Sequence, residues 1–437
     1  MKLVSFKGIY PFKKKETAGL DLIPMRSLDF YSVPLKLKGI TEADPVVRVG
    51  DDVKQGFKIA KAAGKLGVNI YSPVSGKVLN IYDKVNAYGD TCRHILIKND
   101  YKNEVQDLPA IDSVSDVTVV NRLRDCGMID NISFMPTYLK YAFVGARSYK
   151  TLIILLDSTD PNCTVNQTLA EYRMEEVING AKYFMNITSA SLITFVFTEA
   201  NYKLAMKFKK HILDTKKNYD FKIKFIPNKY PFDNPYILTN LITGKKITKK
   251  LSFLDAGVVI ENAESCYNLC RAVEFNKPVI SKIITVDGDN ITRKGNYIVP
   301  NGVPYEKLID FAGIENKELP VSLIEGHLLS GFAQYNKEIS TSLSTNCLLY
   351  LTYNNIDKPK EYPCISCGKC AQVCPMFLKP NKIEQAYLDE DPIELEALKF
   401  HSCIDCGCCS FVCPSKRHVA QRIMSAKYYD KANRGAK

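Results

Sequence analysis

The stretch PCISCGKCAQVCP at residues 363–375, answered by SCIDCGCCSFVCP at residues 402–414, decides the reading of this chain. Both follow Cys-x-x-Cys-x-x-Cys-x-x-x-Cys-Pro. The first run supplies Cys364, Cys367, Cys370 and Cys374 before Pro375; the second supplies Cys403, Cys406, Cys409 and Cys413 before Pro414. This is the bacterial two-cluster iron–sulfur spacing. Three thiolates two residues apart curl round one corner of a cubane, and the fourth leaves on a helix to reach the other cluster. The expected wiring is therefore crossed. Cys364, Cys367, Cys370 and Cys413 hold one [4Fe–4S] cluster; Cys403, Cys406, Cys409 and Cys374 hold the second. A single Cys-x-x-Cys would suit zinc or a redox dithiol equally well. Two complete runs closed by Cys-Pro point to clusters, with structural zinc as the alternative. Two clusters this close serve single-electron transfer.

The rest of the composition sets limits. The chain has 437 residues, 46% of them hydrophobic, which predicts two to four domains with real cores. Of 15 cysteines, the two runs claim eight as ligands. Cys92, Cys126, Cys163, Cys266, Cys270, Cys347 and Cys408 follow no pairing pattern, which fits a reducing, cytoplasmic compartment. No stretch is apolar for the ~18 residues a membrane span needs, and the N-terminus has no signal-peptide core. Attachment to the inner face of a membrane through a partner stays open. The net charge is +12, with lysines densest at 13–15, 245–250 and 416–437. The plain reading is a solvated basic surface; the sharper one is steering of an acidic redox partner or of anionic lipid. No finger, helix–turn–helix or aromatic-plus-basic signature is present, so nucleic acid is not an expected partner.

Outward from the cysteine runs, the chain reads as a multidomain α/β and α+β protein. Residues 1–100 alternate apolar and polar positions between glycine turns, as in PVVRVGDDVKQG and SPVSGKV, and predict a barrel-sandwich hybrid. Residues 115–278 hold short apolar runs, TLIILLD, SLITFVF, FKIKFIP and AGVVIE, separated by helical stretches. That alternation predicts an open α/β sheet whose ligands sit at the carboxyl ends of its strands. Residues 279–315 look like a β-grasp unit, residues 316–361 like a connection, and residues 362–437 like a two-cluster, ferredoxin-like domain.

With these parts in this order, the chain resembles the RnfC family, the peripheral iron–sulfur component of the Rnf complex, a membrane ferredoxin:NAD oxidoreductase. FKGIYP, VPLKLKG, PVVRVGDDVKQG, SPVSGKV, VDGDNITRKGNYIVPNG, STNCLL and the doubled cysteine run carry the resemblance across nearly the whole chain. It implies an α/β domain similar to the flavoprotein of respiratory NADH dehydrogenase. It also implies FMN and NADH as cofactor and donor, and Rnf membrane subunits as partners.

The middle departs from that pattern. Where family members carry a glycine-rich GGAGFPT loop, residues 130–137 read DNISFMPT. Glycine is needed there because backbone amides must approach phosphate oxygens with no Cβ between. The NGAECEPYLT stretch is LDSTDPNCTVN at residues 156–166, and a later Gly-Gly-Pro-Met-Met-Gly is EGHLLSG at residues 325–331. The expectation is an electron carrier whose clusters pass electrons from a reduced donor to a partner. The alternative is an NADH-dependent, FMN-containing oxidoreductase. In the turn after the first parallel strand, Cys163 is a candidate redox thiol, its pKa lowered by a helix start capped by Thr164. Its plain reading is a partly buried turn cysteine. The thiol reading matches a branch similar to the family, the electron-transfer protein associated with D-proline reductase, which makes that reductase a candidate partner. Cys266 and Cys270 share a helix face and read first as core. His401, two residues before Cys403, is a candidate for tuning a cluster by hydrogen bonding.

Overall fold

The computed structural model describes residues 7–11, 15–142, 149–215, 219–245, 247, 256–353 and 360–435. Phe6, Lys13, Lys14, Lys246, Lys249, Lys250 and Lys437, which belong to motifs or basic groups named above, lie outside these residues. The first hundred residues form two small antiparallel sheets. One runs in the order Phe30–Pro34, Thr91–Asn99, Gly76–Val85, Asp52–Val53; the other runs Asp44–Pro45, Lys58–Lys61, Ile70–Tyr71. Val33, Ile59, Val78, Ile95 and Ile97 fill the space between them. Gly76 begins the long hairpin because a Cβ there would lie 1.9 Å from the carbonyl oxygen of Lys98.

The α/β unit is a four-stranded parallel sheet in the order Phe221–Ile226, Ile193–Thr198, Thr151–Leu155, Val258–Asn262. The three apolar strands are buried on both faces, which is why they read as continuous apolar runs. Leu152 and Ile154 face the helices Val165–Tyr172, Met174–Thr188 and Ala263–Glu274, whereas Ile153 and Leu155 face the helix Pro235–Thr243. Phe221–Ile226 is one of the two edge strands. Its exposed Lys222 and Lys224 interrupt the apolar run and discourage edge-to-edge pairing. At Gly180 a Cβ would stand 1.9 Å from the carbonyl oxygen of Cys266, so two helices cross in backbone contact. Cys266 and Cys270 are accordingly buried in the helical layer.

Residues 279–315 contain the expected strands, Ser281–Asp287 and Gly295–Pro300, and the helix Tyr305–Ala312. They do not stand alone. The stretch expected as a connection supplies three more strands, Val321–Glu325, Phe332–Gln334 and Cys347–Thr352, and the N-terminal segment adds Leu22–Pro24. Together they make one six-stranded sheet. Pairings such as Thr285 with Cys347 and Leu22 with Asn296 are too distant in sequence to leave a local signal. Ile284, Tyr297 and Val299 of this sheet share a core with the first hundred residues.

The C-terminal domain is built from short helices around Ile383, Phe400, Val419 and Ile423. Buried Glu384 binds Arg417 at 2.9 Å and also Arg422, fastening the last helix to the spacer between the runs. Each run enters its helix through a left-handed glycine, Gly368 (φ 73°) or Gly407 (φ 76°). The two differ in surroundings. A Cβ at Gly368 meets open space, while one at Gly407 would stand 2.1 Å from the carbonyl oxygen of Leu329. Gly368→Ala is expected to cost only the backbone term, about 1–2 kcal/mol. Gly407→Ala is expected to cost more and to loosen the cluster domain from the 326–331 loop. Urea unfolding of the two anaerobic holo-proteins checks the order.

Candidate functional site

The structure brings the eight run cysteines together in two groups of four, each around a small cavity. Cys364, Cys367, Cys370 and Cys413 line the first; Cys374, Cys403, Cys406 and Cys409 line the second. The grouping is the crossed one. It arises because each short helix carries its fourth cysteine toward the opposite loop. Backbone N–H groups already point at sulfur: Ser366 to Cys364, Asp405 to Cys403 and Leu378 to Cys374, each at 3.4 Å. Burial, with Asp405 beside it, pushes the Cys403 thiol up to about 12. Several thiolates in so small a space need a cation among them, and the iron of a cluster supplies it. This all-sulfur donor set fits a [4Fe–4S] cluster in each cavity. Cys408 is buried against Ile9 and Tyr230 and borders the second cavity beside Cys409. The first group lies at the surface, with Cys364 and Cys367 exposed; in the second, Cys374 and Cys409 are buried.

Beside the second group lies a larger cavity of about 540 Å³, within the usual range of ligand sites. It runs along the carboxyl edge of the parallel sheet, past Leu155 and Asn262, and is bordered by the 325–332 loop. Cys406 lines both this cavity and the second cysteine group. Whatever occupies the cavity therefore abuts the sulfur cage directly.

The polar wall is unusual. The Lys38 ammonium is wrapped by three rings, at 4.2 Å from the centre of Phe134, 5.1 Å from Phe332 and 5.2 Å from Tyr88. Burial lowers its pKa, against the pull of Glu325 and Asp405. Glu325 is 2% exposed. Its Oε1 accepts the Tyr88 hydroxyl at 2.8 Å; the Thr345 hydroxyl stands beside the carboxyl, and Oε2 makes no hydrogen bond at normal distance. Burial pushes its carboxyl up to about 7. His327 Nδ1 lies 3.1 Å from Asp160 Oδ2. Burial opposes charge on Asp160, but His327 and the N–H groups of Cys163 and Asn162 hold its carboxyl below the usual range.

A phosphate cradle needs free amides at turns or helix starts. Here the chain's own side chains take them. In the 130–137 loop, the Asp130 carboxylate accepts the N–H of Ser133 at 2.9 Å and of Ile132 at 3.2 Å. Asp160 accepts those of Asn162 and Cys163 at 2.9 and 2.8 Å, and Asp233 accepts that of Thr159 at 3.0 Å. Asn262 closes the start of the helix Ala263–Glu274 on Ser265 N–H at 2.8 Å. Phe134 occupies the old glycine loop at φ 53°, its carbonyl packed onto Gly39. These residues do not fit a phosphate held in the glycine-loop manner.

Cys163 borders the cavity, but its surroundings reverse the expected shift. Burial, with Asp160 adding, pushes the thiol up to about 12. Thr164 holds the N-cap position without capping; its hydroxyl pairs with Thr17 at 2.6 Å instead. His401 turns from the cysteines toward Asp430, at 2.9 Å, and Glu396, at 3.4 Å. Lys38 and Tyr88 escaped the sequence reading, as did the individual roles of Asp130 and Glu325 within their quoted loops. Only Asp130, at the head of an Asp-x-x-Ser turn, carried a local signal.

Comparison with known proteins follows the same division. Three family profiles match: the RnfC barrel-sandwich hybrid domain over residues 4–102, the Nuo51 FMN-binding domain over 133–271 and the 4Fe-4S dicluster domain over 356–414. The C component of the proton-translocating ferredoxin:NAD(+) oxidoreductase complex of Clostridium ljungdahlii is 30% identical over 390 residues, spanning 87% of this chain and 84% of that protein. The C component of the ion-translocating oxidoreductase complex of Rhodobacter capsulatus is 28% identical over 385 residues, 86% and 73% of the two chains. Among solved structures, an NAD+-reducing [NiFe]-hydrogenase in its H2-reduced state matches with TM-score 0.51 at 11% identity, over 71% of this chain and 61% of that one. That likeness concerns fold alone. The match over 133–271 favours the flavin-containing reading over the flavin-free one.

Proposed function

The chain belongs to the RnfC family of ion-translocating oxidoreductase components, and on that footing we propose that it wires a two-electron site to a protein partner through two [4Fe–4S] clusters. Cys374, Cys403, Cys406 and Cys409 hold the inner cluster; Cys364, Cys367, Cys370 and Cys413 hold the outer one. The clusters supply one-electron transfer. The observation that carries the reading is the double membership of Cys406, which borders both the 540 Å³ cavity and the inner cysteine group. Exposed Cys364 and Cys367 set the outer cluster where a docking protein can reach it. Anaerobically purified protein is expected to contain about eight iron and eight sulfide per chain. Values near two metal ions and no sulfide would instead mean structural zinc.

The partner, on this reading, is the membrane part of an Rnf-type complex on the cytoplasmic face. Among the described residues no helix is long and apolar enough to cross a membrane, so attachment runs through other proteins of the complex. A soluble reductase such as D-proline reductase is the second candidate partner. FMN with NADH as donor is the reading of the cavity that the Nuo51-type profile over 133–271 supports. Flavin released on denaturation, and bleaching of the protein by NADH, are its readouts.

A further inference from the structure

The cavity keeps its place and size while its phosphate-binding amides are taken. Three turns at the carboxyl edge of the sheet each close on a carboxylate of this chain: Asp130, Asp160 and Asp233. Acid dominates the remaining wall as well. Asp160, Asp233, Glu264, Glu325 and Asp405 line the cavity, against Lys38 and His327. Glu264 is neutralised by Lys282 at 2.6 Å, Asp405 by Lys427 at 2.8 Å, and His327 by Asp160. Lys38 has its ammonium enclosed by three aromatic rings. A dianionic phosphate entering here would meet carboxylates and no free cradle. Glu325 is the least satisfied of these groups. It is nearly fully buried, lines the cavity, and its Oε2 makes no hydrogen bond at normal distance, with the Thr345 hydroxyl beside the carboxyl. A buried polar atom that lacks a good hydrogen bond destabilises its surroundings, so a ligand group that hydrogen-bonds to it is favoured.

We propose that this cavity takes an uncharged planar redox ring of the flavin class that carries no phosphate, with Glu325 as its hydrogen-bonding anchor. The inference rests on the electron-transfer reading above. An isoalloxazine edge offers an imide N–H between two carbonyls. A carboxyl poised near neutrality matches it in either protonation state, accepting the N–H as carboxylate or donating to a carbonyl as acid. Phe134, Tyr88 and Phe332 supply apolar surface for the ring.

Anaerobic ultrafiltration of the cluster-loaded full chain with riboflavin or FMN tests this. Riboflavin is expected to bind at least about tenfold more tightly, the factor that ~1.4 kcal/mol of charge repulsion produces. Glu325→Leu should weaken riboflavin by a similar factor, whereas Glu325→Gln, which keeps the shape and a hydrogen-bonding edge, should stay within about threefold. Iron content reports whether each variant has folded, and the wild-type comparison needs no variant. FMN binding equal to or tighter than riboflavin, FMN retained stoichiometrically on purification, or neither flavin binding would each overturn the proposal. None of these outcomes changes the iron and sulfide count, so failure here is distinct from failure of the electron-transfer reading.

Discussion

Replacing Cys406 with serine is expected to remove one [4Fe–4S] cluster and spare the other. Replacing Cys374, 32 positions earlier in the chain, should remove the same one. The argument is geometric: both thiols line the inner cavity with Cys403 and Cys409, whereas Cys413, only seven positions after Cys406, lines the outer one. Cys413→Ser should therefore match Cys364→Ser. In each case iron falls to about half. Electron paramagnetic resonance of the dithionite-reduced protein then shows one of two distinct signals, because the remaining cluster differs in burial. If Cys374→Ser instead behaved like Cys364→Ser, the crossed wiring would be wrong. Loss of the inner cluster should also stop electron entry from the cavity, since Cys406 is where the two meet.

The second large effect is on stability. Lys140 Nζ lies 3.0 Å from Asp130 Oδ1 and 3.1 Å from Glu261 Oε1, and it donates to the carbonyl of Ile260 at 2.8 Å. Both carboxylates are fully buried. Lys140→Met leaves two buried acids facing each other without their cation, which costs about 3–5 kcal/mol. The loss should depend on pH with a definite sign. Burial, partly offset by Lys140, already raises the Glu261 pKa above its ordinary value. An acid whose folded pKa is raised binds its proton more tightly when folded, so stability falls as pH rises through that pKa. The variant should lie furthest below the wild type near pH 8 and recover as pH drops toward 5, where the orphaned Glu261 carboxyl takes up its proton. Urea midpoints at the two pH values provide the check. A pH-independent loss would mean that packing of the lysine stem, not its charge, is what matters.

These two cases differ in how visible they are in the sequence. The cysteine spacing exposes its chemistry in thirteen residues, because three of the four thiolates that grip a cluster come from one tight loop. The parallel strands are equally visible, since burial on both faces imposes an apolar run whatever lies around it. Lys140 and Asp130 carry no such mark. Their pairing follows from a turn and a short helical segment that meet Glu261 only when the sheet is assembled. Cys163 shows the same limit from the other side. Its position just before a helix was correct, but that position says nothing of how deeply the turn is buried, and burial sets its pKa.

Local sequence therefore determined the cysteine-rich loops, the parallel core and the departure from the glycine-rich loop, because each depends on residues within a few positions of one another. Tertiary structure alone decided three further things. The supposed connection became half of a six-stranded sheet through pairings such as Thr285 with Cys347. The second cysteine run came to face the cavity because Gly407 lets it dock on Leu329. Lys38, Tyr88 and Glu325, from segments almost 300 positions apart, became one wall. Hydrogen bonds and burial at such distances are fixed by how domains pack, and no local pattern of residues encodes that.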